Sequence, residues 1–170
     1  MTSTPVTRVP LPVQPADEMV RLARFHRDVR WTGTIQADGM GPGSPAMTAT
    51  GEGRHHTIQN GLWIVGDYQQ DQFLADGTFV LHWQLHWVAG WDPQAGEYRA
   101  SVADNYGHLE ILSGRINGDL LTFESIGRPP VRLRLSWHLA DDDTMTWRNE
   151  VSVQGGPFNL IERYLCTTIE

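Results

Sequence analysis

From Trp31 to the C-terminus, hydrophobic and polar residues alternate in short runs that are separated by turn signals. Alternation with a period of two is typical of β-strands that bury one face. The turn signals are Asn-Gly at 60–61 and 117–118, Asp-Gly at 76–77, and longer polar loops at 92–96 and 140–143. The pattern predicts nine or ten strands, joined mainly by tight hairpins.

A long antiparallel sheet with one apolar face is expected to close on itself, because closure removes the exposed edge strands. The predicted fold is therefore all-β, a single up-and-down antiparallel barrel of about 8–10 strands. No second domain is indicated, since neither a linker nor an internal repeat follows residue 30.

The first 30 residues have a different pattern. Residues 1–14 contain several prolines and little periodicity, which predicts a flexible N-terminal arm. Residues 15–28, "PADEMVRLARFHRD", carry Met19, Leu22 and Phe25 at helical spacing, which predicts a short amphipathic helix. We expect this helix to pack on the barrel, within one domain of residues 15–170.

The run "TFVLHWQLHWVAGWD" at 78–92 has the densest candidate chemistry in the chain. Trp83 and Trp87 share one face of this strand, whereas His82, Gln84 and His86 share the other. Residues four apart on a strand are about 13 Å apart, too far for two histidines to share a metal ion. No metal site is predicted, and two orientations remain: either the histidines face the interior as polar groups, or the aromatic face does.

The same alternation places polar groups at the ends of apolar strand faces. Asp104 follows the face of Tyr98 and Val102, which predicts a position at a cavity mouth and a raised pKa. By the same reasoning Asp67, Asn149 and Glu162 are expected beside aromatic residues. Candidate ligand-binding residues are Trp31, Trp63, Asp67, Trp83, Trp87, Trp137, Trp147 and Asn149. His26 and His108 are expected at the surface.

Composition excludes several classes of function. The formal net charge of −7 disfavours nucleic acid, which selects basic surfaces. All thirteen basic residues are Arg, so Schiff-base chemistry on Lys and a P-loop lysine are excluded. Cys166 is the lone cysteine and is expected to be a buried apolar residue. With neither a signal sequence nor a stretch of ~20 apolar residues, we expect a cytoplasmic protein without membrane contacts.

Several short motifs indicate a family resemblance. They are "RLARF" before "WTG" at 31–33, "GLWIVGDY" at 61–68, "GWDP" at 90–93, "YRASVADN" at 98–105 and "IERY" at 161–164. Together they resemble a bacterial family of unknown function that is built as lipocalin-like (calycin) barrels, and the resemblance covers nearly all of the chain from about residue 20. It implies an internal cavity without naming the contents.

The resemblance also carries expectations about ligands. Related calycins bind haem or apolar ligands, or act as small cyclases and isomerases. The haem-binding branch ligates iron through a His near the C-terminal strand, and residues 158–170 contain no His. Neither haem nor any other cofactor is therefore expected.

Three functions follow as hypotheses. The first is a barrel that binds a small apolar or aromatic molecule. The second is a cofactor-independent cyclase, isomerase or hydratase of secondary metabolism, in which His86, Asp104 or Glu162 moves a proton. The third is an interaction module that forms a homodimer through an aromatic outer strand face.

Overall fold

The computed structural model describes residues 13–127, 130–141 and 143–169. Within these residues, one α-helix, α1 (Asp17–Ala23), precedes ten strands. The strands are β1 (Val29–Ile35), β2 (Met47–Ile58), β3 (Trp63–Phe73), β4 (Phe79–Asp92), β5 (Glu97–Asp104), β6 (Leu109–Asn117), β7 (Leu120–Ser125), β8 (Val131–Leu139), β9 (Thr144–Val153) and β10 (Asn159–Thr168). Most of the predicted arm, residues 1–12, lies outside the described residues.

The strands form a closed antiparallel barrel. Each strand pairs with its neighbour in sequence, and β1 pairs with β10 from Val29 opposite Thr168 to Ile35 opposite Glu162. Closure satisfies the backbone hydrogen bonds of what would otherwise be two edge strands. The predicted all-β, up-and-down lipocalin-like barrel is confirmed.

The barrel has two ends with different connections. The end that we call the floor carries the short turns after β2, β4, β6 and β8. The opposite end, the mouth, carries the loop at 36–46 and the connections that follow β3, β5, β7 and β9. Each strand runs between the floor and the mouth, so each contributes inward-facing residues to both halves of the barrel.

The floor half of the interior is filled by an aromatic layer, which we define as Trp31, Trp87, Phe123, Trp137 and Trp147. The Trp137 and Trp147 rings are stacked with centroids 5.9 Å apart, and the Trp87 and Phe123 rings meet edge to face at 5.1 Å. All five side chains are buried. Burial of large rings makes this layer the main apolar core of the barrel.

Helix α1 and the residues after it close the floor. Met19, Leu22 and Phe25 are buried, as predicted for the apolar stripe, although the helix ends at Ala23 rather than at residue 28. The chain then turns inward, and His26 stacks on Trp87 with ring centroids 5.7 Å apart. The prediction that His26 lies at the surface is wrong. Among the described residues, no helix has the length and apolar character needed to span a bilayer.

Candidate functional site

The mouth half of the barrel contains a cavity of about 450 Å³. Its wall is largely apolar and includes Trp83, Leu85, Val102, Leu133 and Val151. Gly39 and Met40, from the loop at 36–46, border it at the mouth. The volume lies within the range of small-molecule sites, about 300–1,000 Å³.

A buried carboxylate and an amide form the polar part of this wall. Asn149 on β9 donates a hydrogen bond from Nδ2 to Glu162 Oε2 on β10, and both side chains are more than nine-tenths buried. Burial raises the pKa of Glu162, while the hydrogen bond from Asn149 acts in the opposite direction and only partly offsets it. This pair is therefore a hydrogen-bonding group placed in apolar surroundings.

Two further amides on β3 face the same space. Gln70 Oε1 accepts a hydrogen bond from Trp31 Nε1 at 2.8 Å, which links the cavity to the aromatic layer. Gln72 Oε1 and Asn149 Oδ1 have no hydrogen-bond partner among the described residues, although both are buried. Buried acceptors in folded proteins are nearly always paired, so these two oxygens are sites for a ligand or for water.

Asp104 organises the cavity mouth. Its carboxylate accepts hydrogen bonds from the backbone N–H groups of Tyr106 and His108 and from His108 Nδ1, at 2.8–2.9 Å, and one from Trp83 Nε1 at 3.4 Å. Burial would raise the pKa of Asp104, but these hydrogen bonds outweigh it and hold the pKa below its usual range. The prediction of a raised pKa is wrong, because a carboxylate with this many donors stays ionised.

Four of the residues predicted from sequence meet at the cavity. They are Trp83, Asp104, Asn149 and Glu162. Trp31, Trp87, Trp137 and Trp147 point inward, but they belong to the aromatic layer below the cavity. His108 lies at the rim with its side chain 79% exposed, in agreement with its predicted surface position.

Three predicted site residues lie outside the barrel. His86 and Asp67 are opposite each other on the outer faces of β4 and β3, with Nδ1 and Oδ1 2.8 Å apart and more than half of each side chain exposed. Trp63 shares this outer face and packs across Gly90, where an added Cβ would lie 2.5 Å from its ring. These residues therefore do not line the cavity inside the barrel, contrary to the inward position expected from the sequence.

The structure shows which face of the strand at 78–92 points into the barrel. His82 pairs with Asp71 at 2.7 Å on the outer surface, whereas Trp87 is 1% exposed and Trp83 lines the cavity. Of the two orientations open from the sequence, the one with the aromatic face inward is correct. Among the described residues, no cluster of three or more His, Cys, Asp or Glu side chains has the arrangement of a metal site.

Sequence reasoning missed Gln70, Gln72 and Met40 as cavity residues. The signal for the two glutamines was their spacing from Tyr68, since residues 68, 70 and 72 share one strand face. Trp63 and Val65 make the opposite face of this strand look more apolar than the face that carries the glutamines. Met40 lies in a Gly- and Pro-rich loop, where no periodicity indicates direction.

The closed antiparallel barrel and its cavity define a lipocalin-like barrel protein. A model of the family described as "Protein of unknown function (DUF1579)" matches residues 18–161, so the chain belongs to this family. The resemblance to a barrel family of unknown function is thereby confirmed.

Among solved structures, the chain is similar to the crystal structure of Rv2717c from M. tuberculosis, with a TM-score of 0.62 and 14% sequence identity. The match covers 92% of this chain and 100% of that chain. At this identity the likeness concerns the fold alone. No curated protein matches the chain.

Proposed function

We propose that this protein binds a small, mainly apolar molecule in the mouth half of its barrel. The observation that carries the proposal is a cavity of about 450 Å³ whose apolar wall includes buried polar groups without partners. Small-molecule sites have this composition, with apolar walls that supply affinity and a few polar groups that fix orientation.

An unfilled cavity does not stabilise the fold, and this supports a role in binding. Empty volume in a core costs stability, at about 24 cal/mol per Å³ in core-truncation series. The floor half of the same barrel is filled by the aromatic layer, so the fold permits close packing of inward side chains. A hollow half beside a filled half supports the proposal that a bound molecule occupies the cavity.

The residues divide into two roles under this proposal. Trp83, Leu85 and Val151 form the apolar surface against the ligand, and Asn149 and Glu162 bind its polar end. The tryptophans of the aromatic layer, which the sequence suggested as ligand contacts, instead support the base of the cavity.

The enzyme and homodimer hypotheses each lose one of the residues or surfaces on which they rested. An enzyme would have Asp104 and Glu162 in the cavity but not His86, which lies on the outer surface. A homodimer built on an exposed Trp83 and Trp87 face lacks that face, because Trp87 is buried in the barrel. Both functions remain hypotheses, and no contact or geometry favours either over binding.

Blocking the cavity tests the proposal. In Val151→Trp an indole replaces a side chain of the cavity wall, whereas Leu165→Trp adds the same group at an exposed position of β10. The probe is N-phenyl-1-naphthylamine, an uncharged fluorophore that brightens in apolar sites. We expect the wild-type protein and Leu165→Trp to bind it at a 1:1 ratio, and Val151→Trp to lose at least about tenfold in affinity, or about 1.4 kcal/mol.

Circular dichroism and urea unfolding of both variants confirm that the barrel is intact. Equal probe binding by wild type and folded Val151→Trp would place the probe outside the cavity and contradict the proposal. Absence of probe binding to the wild-type protein, together with absence of binding by the alkyl ligands described below, would also contradict it.

A further inference from the structure

We infer that the ligand of the barrel cavity carries a cationic amine, which Glu162 and Asn149 hold in the apolar wall. This inference rests on the proposed function and deepens it by naming the ligand class. Three observations carry it: the sign of the charges around the cavity, the unpaired acceptors in its wall, and the buried carboxylate without a cationic partner.

The charge around the cavity is negative. The titratable side chains that line it are Asp104, His108, Glu110 and Glu162, and none of the described lining residues is Arg. The chain contains no Lys, so no lysine can supply the missing cation. An anionic ligand such as a fatty acid would be brought beside carboxylates without a counter-charge, which is unfavourable in a low-dielectric site.

Among the described residues that line the cavity, the buried side-chain atoms without a hydrogen-bond partner are two oxygen acceptors. Because Asn149 Nδ2 donates to Glu162, the orientation of this amide leaves Oδ1 facing away from the carboxylate, and Oδ1 has no partner among the described residues. Gln72 Oε1 is a second acceptor in the same state. An alkylammonium group has N–H donors and no acceptor, so it complements this set.

Glu162 is a carboxylate without a cation. It lies more than nine-tenths buried, and its carboxylate accepts a hydrogen bond from the uncharged amide of Asn149. A buried carboxylate without a cation is costly, which is why burial raises its pKa. An ammonium group at this point would form a charge-assisted hydrogen bond and remove that cost. Asp104, at the mouth, adds attraction for a cation as it enters.

Three ligands with the same alkyl chain and different head groups test the inference. Decylamine, decanol and decanoate are titrated against the wild-type protein at pH 7 by calorimetry and by displacement of N-phenyl-1-naphthylamine. We expect decylamine to bind at least about tenfold more tightly than decanol, since hydrogen bonds to charged groups are stronger than those between neutral groups. Decanoate should bind most weakly of the three.

The Glu162→Gln variant identifies the group responsible. It keeps the shape of the side chain but removes the charge, so we expect a loss of about tenfold or more for decylamine and less than about threefold for decanol. The matched control is Glu52→Gln, which removes one negative charge from the outer face of β2 and should leave the order of the three ligands unchanged.

The outcomes separate this inference from the proposed function. Binding of decanol with equal or tighter binding of decanoate than of decylamine overturns the amine assignment and leaves a barrel that binds apolar molecules. A folded Glu162→Gln that binds decylamine as tightly as wild type also overturns it. If Glu162→Gln does not fold, the order of the three ligands on the wild-type protein decides. If neither the ligands nor the naphthylamine probe bind, the proposed function itself is wrong.

Discussion

At the scale of single residues, Trp31 and the glycine opposite it fix the base of the cavity. Trp31 on β1 faces Gly51 on β2 in the strand register. A Cβ on Gly51 would lie 2.5 Å from Trp31 Cε2 and 2.5 Å from the backbone oxygen of Gln69. The missing side chain lets the indole lie close to β2, and from there its Nε1 reaches Gln70 Oε1 at 2.8 Å.

The Gly51→Ala substitution is expected to destabilise the protein, because the new methyl group has no space against either the indole or the backbone. Forced overpacking of this kind costs about 1–3 kcal/mol. Urea unfolding followed by circular dichroism measures the change in the free energy of unfolding. The neighbouring Thr50→Ala, at an exposed position, should change it by less than about 0.5 kcal/mol. Equal stability of the two variants would show that Trp31 can move without cost.

Single residues also show where the sequence was informative. Alternation identified two faces on the strand of 78–92, but it does not state which face is inside. His82 and His86 face outward because the strand register places them opposite Asp71 and Asp67 on β3, with which they pair. Such pairs depend on which residues of two distant segments meet. The outward position of His86 therefore could not be predicted from the residues of its own strand alone.

At the scale of elements, β3 is where the sequence was most misleading. Its floor end is apolar on both faces: Ile64 points inward, and Val65 is buried on the outer face. When both faces of a strand are apolar, hydrophobic and polar residues do not alternate, so the sequence does not show which face points inward. The mouth end has a clear phase, with Tyr68, Gln70 and Gln72 buried, but polar inward residues look like an outer face. Polar cavity residues are the ones that a hydrophobic pattern assigns to solvent.

The loop at 36–46 brings Met40 to the cavity mouth. Its own hydrogen bonds give it a defined shape: Asp38 N–H donates to the Ser44 carbonyl at 2.9 Å, and Gly43 N–H donates to Asp38 Oδ1 at 2.6 Å. It is joined to β10 by the hydrogen bond from Gln36 N–H to the Ile161 carbonyl at 2.8 Å. Gly39 sits against the same carbonyl, where a Cβ would lie 3.0 Å away.

The Gly39→Ala substitution is expected to move this loop away from the mouth, since the added Cβ would also lie 2.8 Å from the Gln36 carbonyl oxygen. We expect the dissociation rate of N-phenyl-1-naphthylamine to rise by about tenfold while its association rate changes little, because affinity differences between related complexes lie mainly in dissociation. Stopped-flow fluorescence measures both rates. Pro42→Ala, at an exposed position of the same loop, is the control. Identical dissociation from the two variants would mean that the loop does not retain the ligand.

At the scale of the whole molecule, the barrel combines a solid half and a hollow half. The aromatic layer and α1 fill the floor half and supply the packing that holds ten strands together. That division leaves the mouth half free to carry Asn149, Glu162 and Asp104, which would weaken a fully packed core. The sequence predicted the barrel well, because closure follows from strand number and hairpin length. The division into halves was not predictable, because it depends on how rings from five strands interlock.

The floor also contains the groups that should make the whole fold sensitive to acid. His26 lies under Trp87 and Trp137, with its ring centroid 5.3 Å from that of His55. Burial, and secondarily the proximity of His55, lowers the pKa of His26 to about 3, and burial lowers the pKa of His55 to about 4. The unfolded chain binds protons on both residues near pH 6.5. The contribution of these two histidines to the free energy of unfolding is therefore fully present above pH 6.5, and it is lost as the pH falls toward their folded-state pKa values.

The expected loss between pH 7 and pH 5 is about 1–2 kcal/mol for each histidine, from proton linkage. Glu162, with its raised pKa, acts in the opposite sense, so the contribution of His26 is best obtained by comparison with His26→Gln. Urea unfolding at the two pH values should show a smaller loss for this variant than for wild type, whereas His138→Gln, at an exposed position, should behave as wild type does. NMR titration of the imidazoles provides an independent measurement on the unmodified protein. A His26 that titrates near pH 6.5 in the folded state would show that this ring reaches solvent, and the floor formed by α1 would then be open rather than closed.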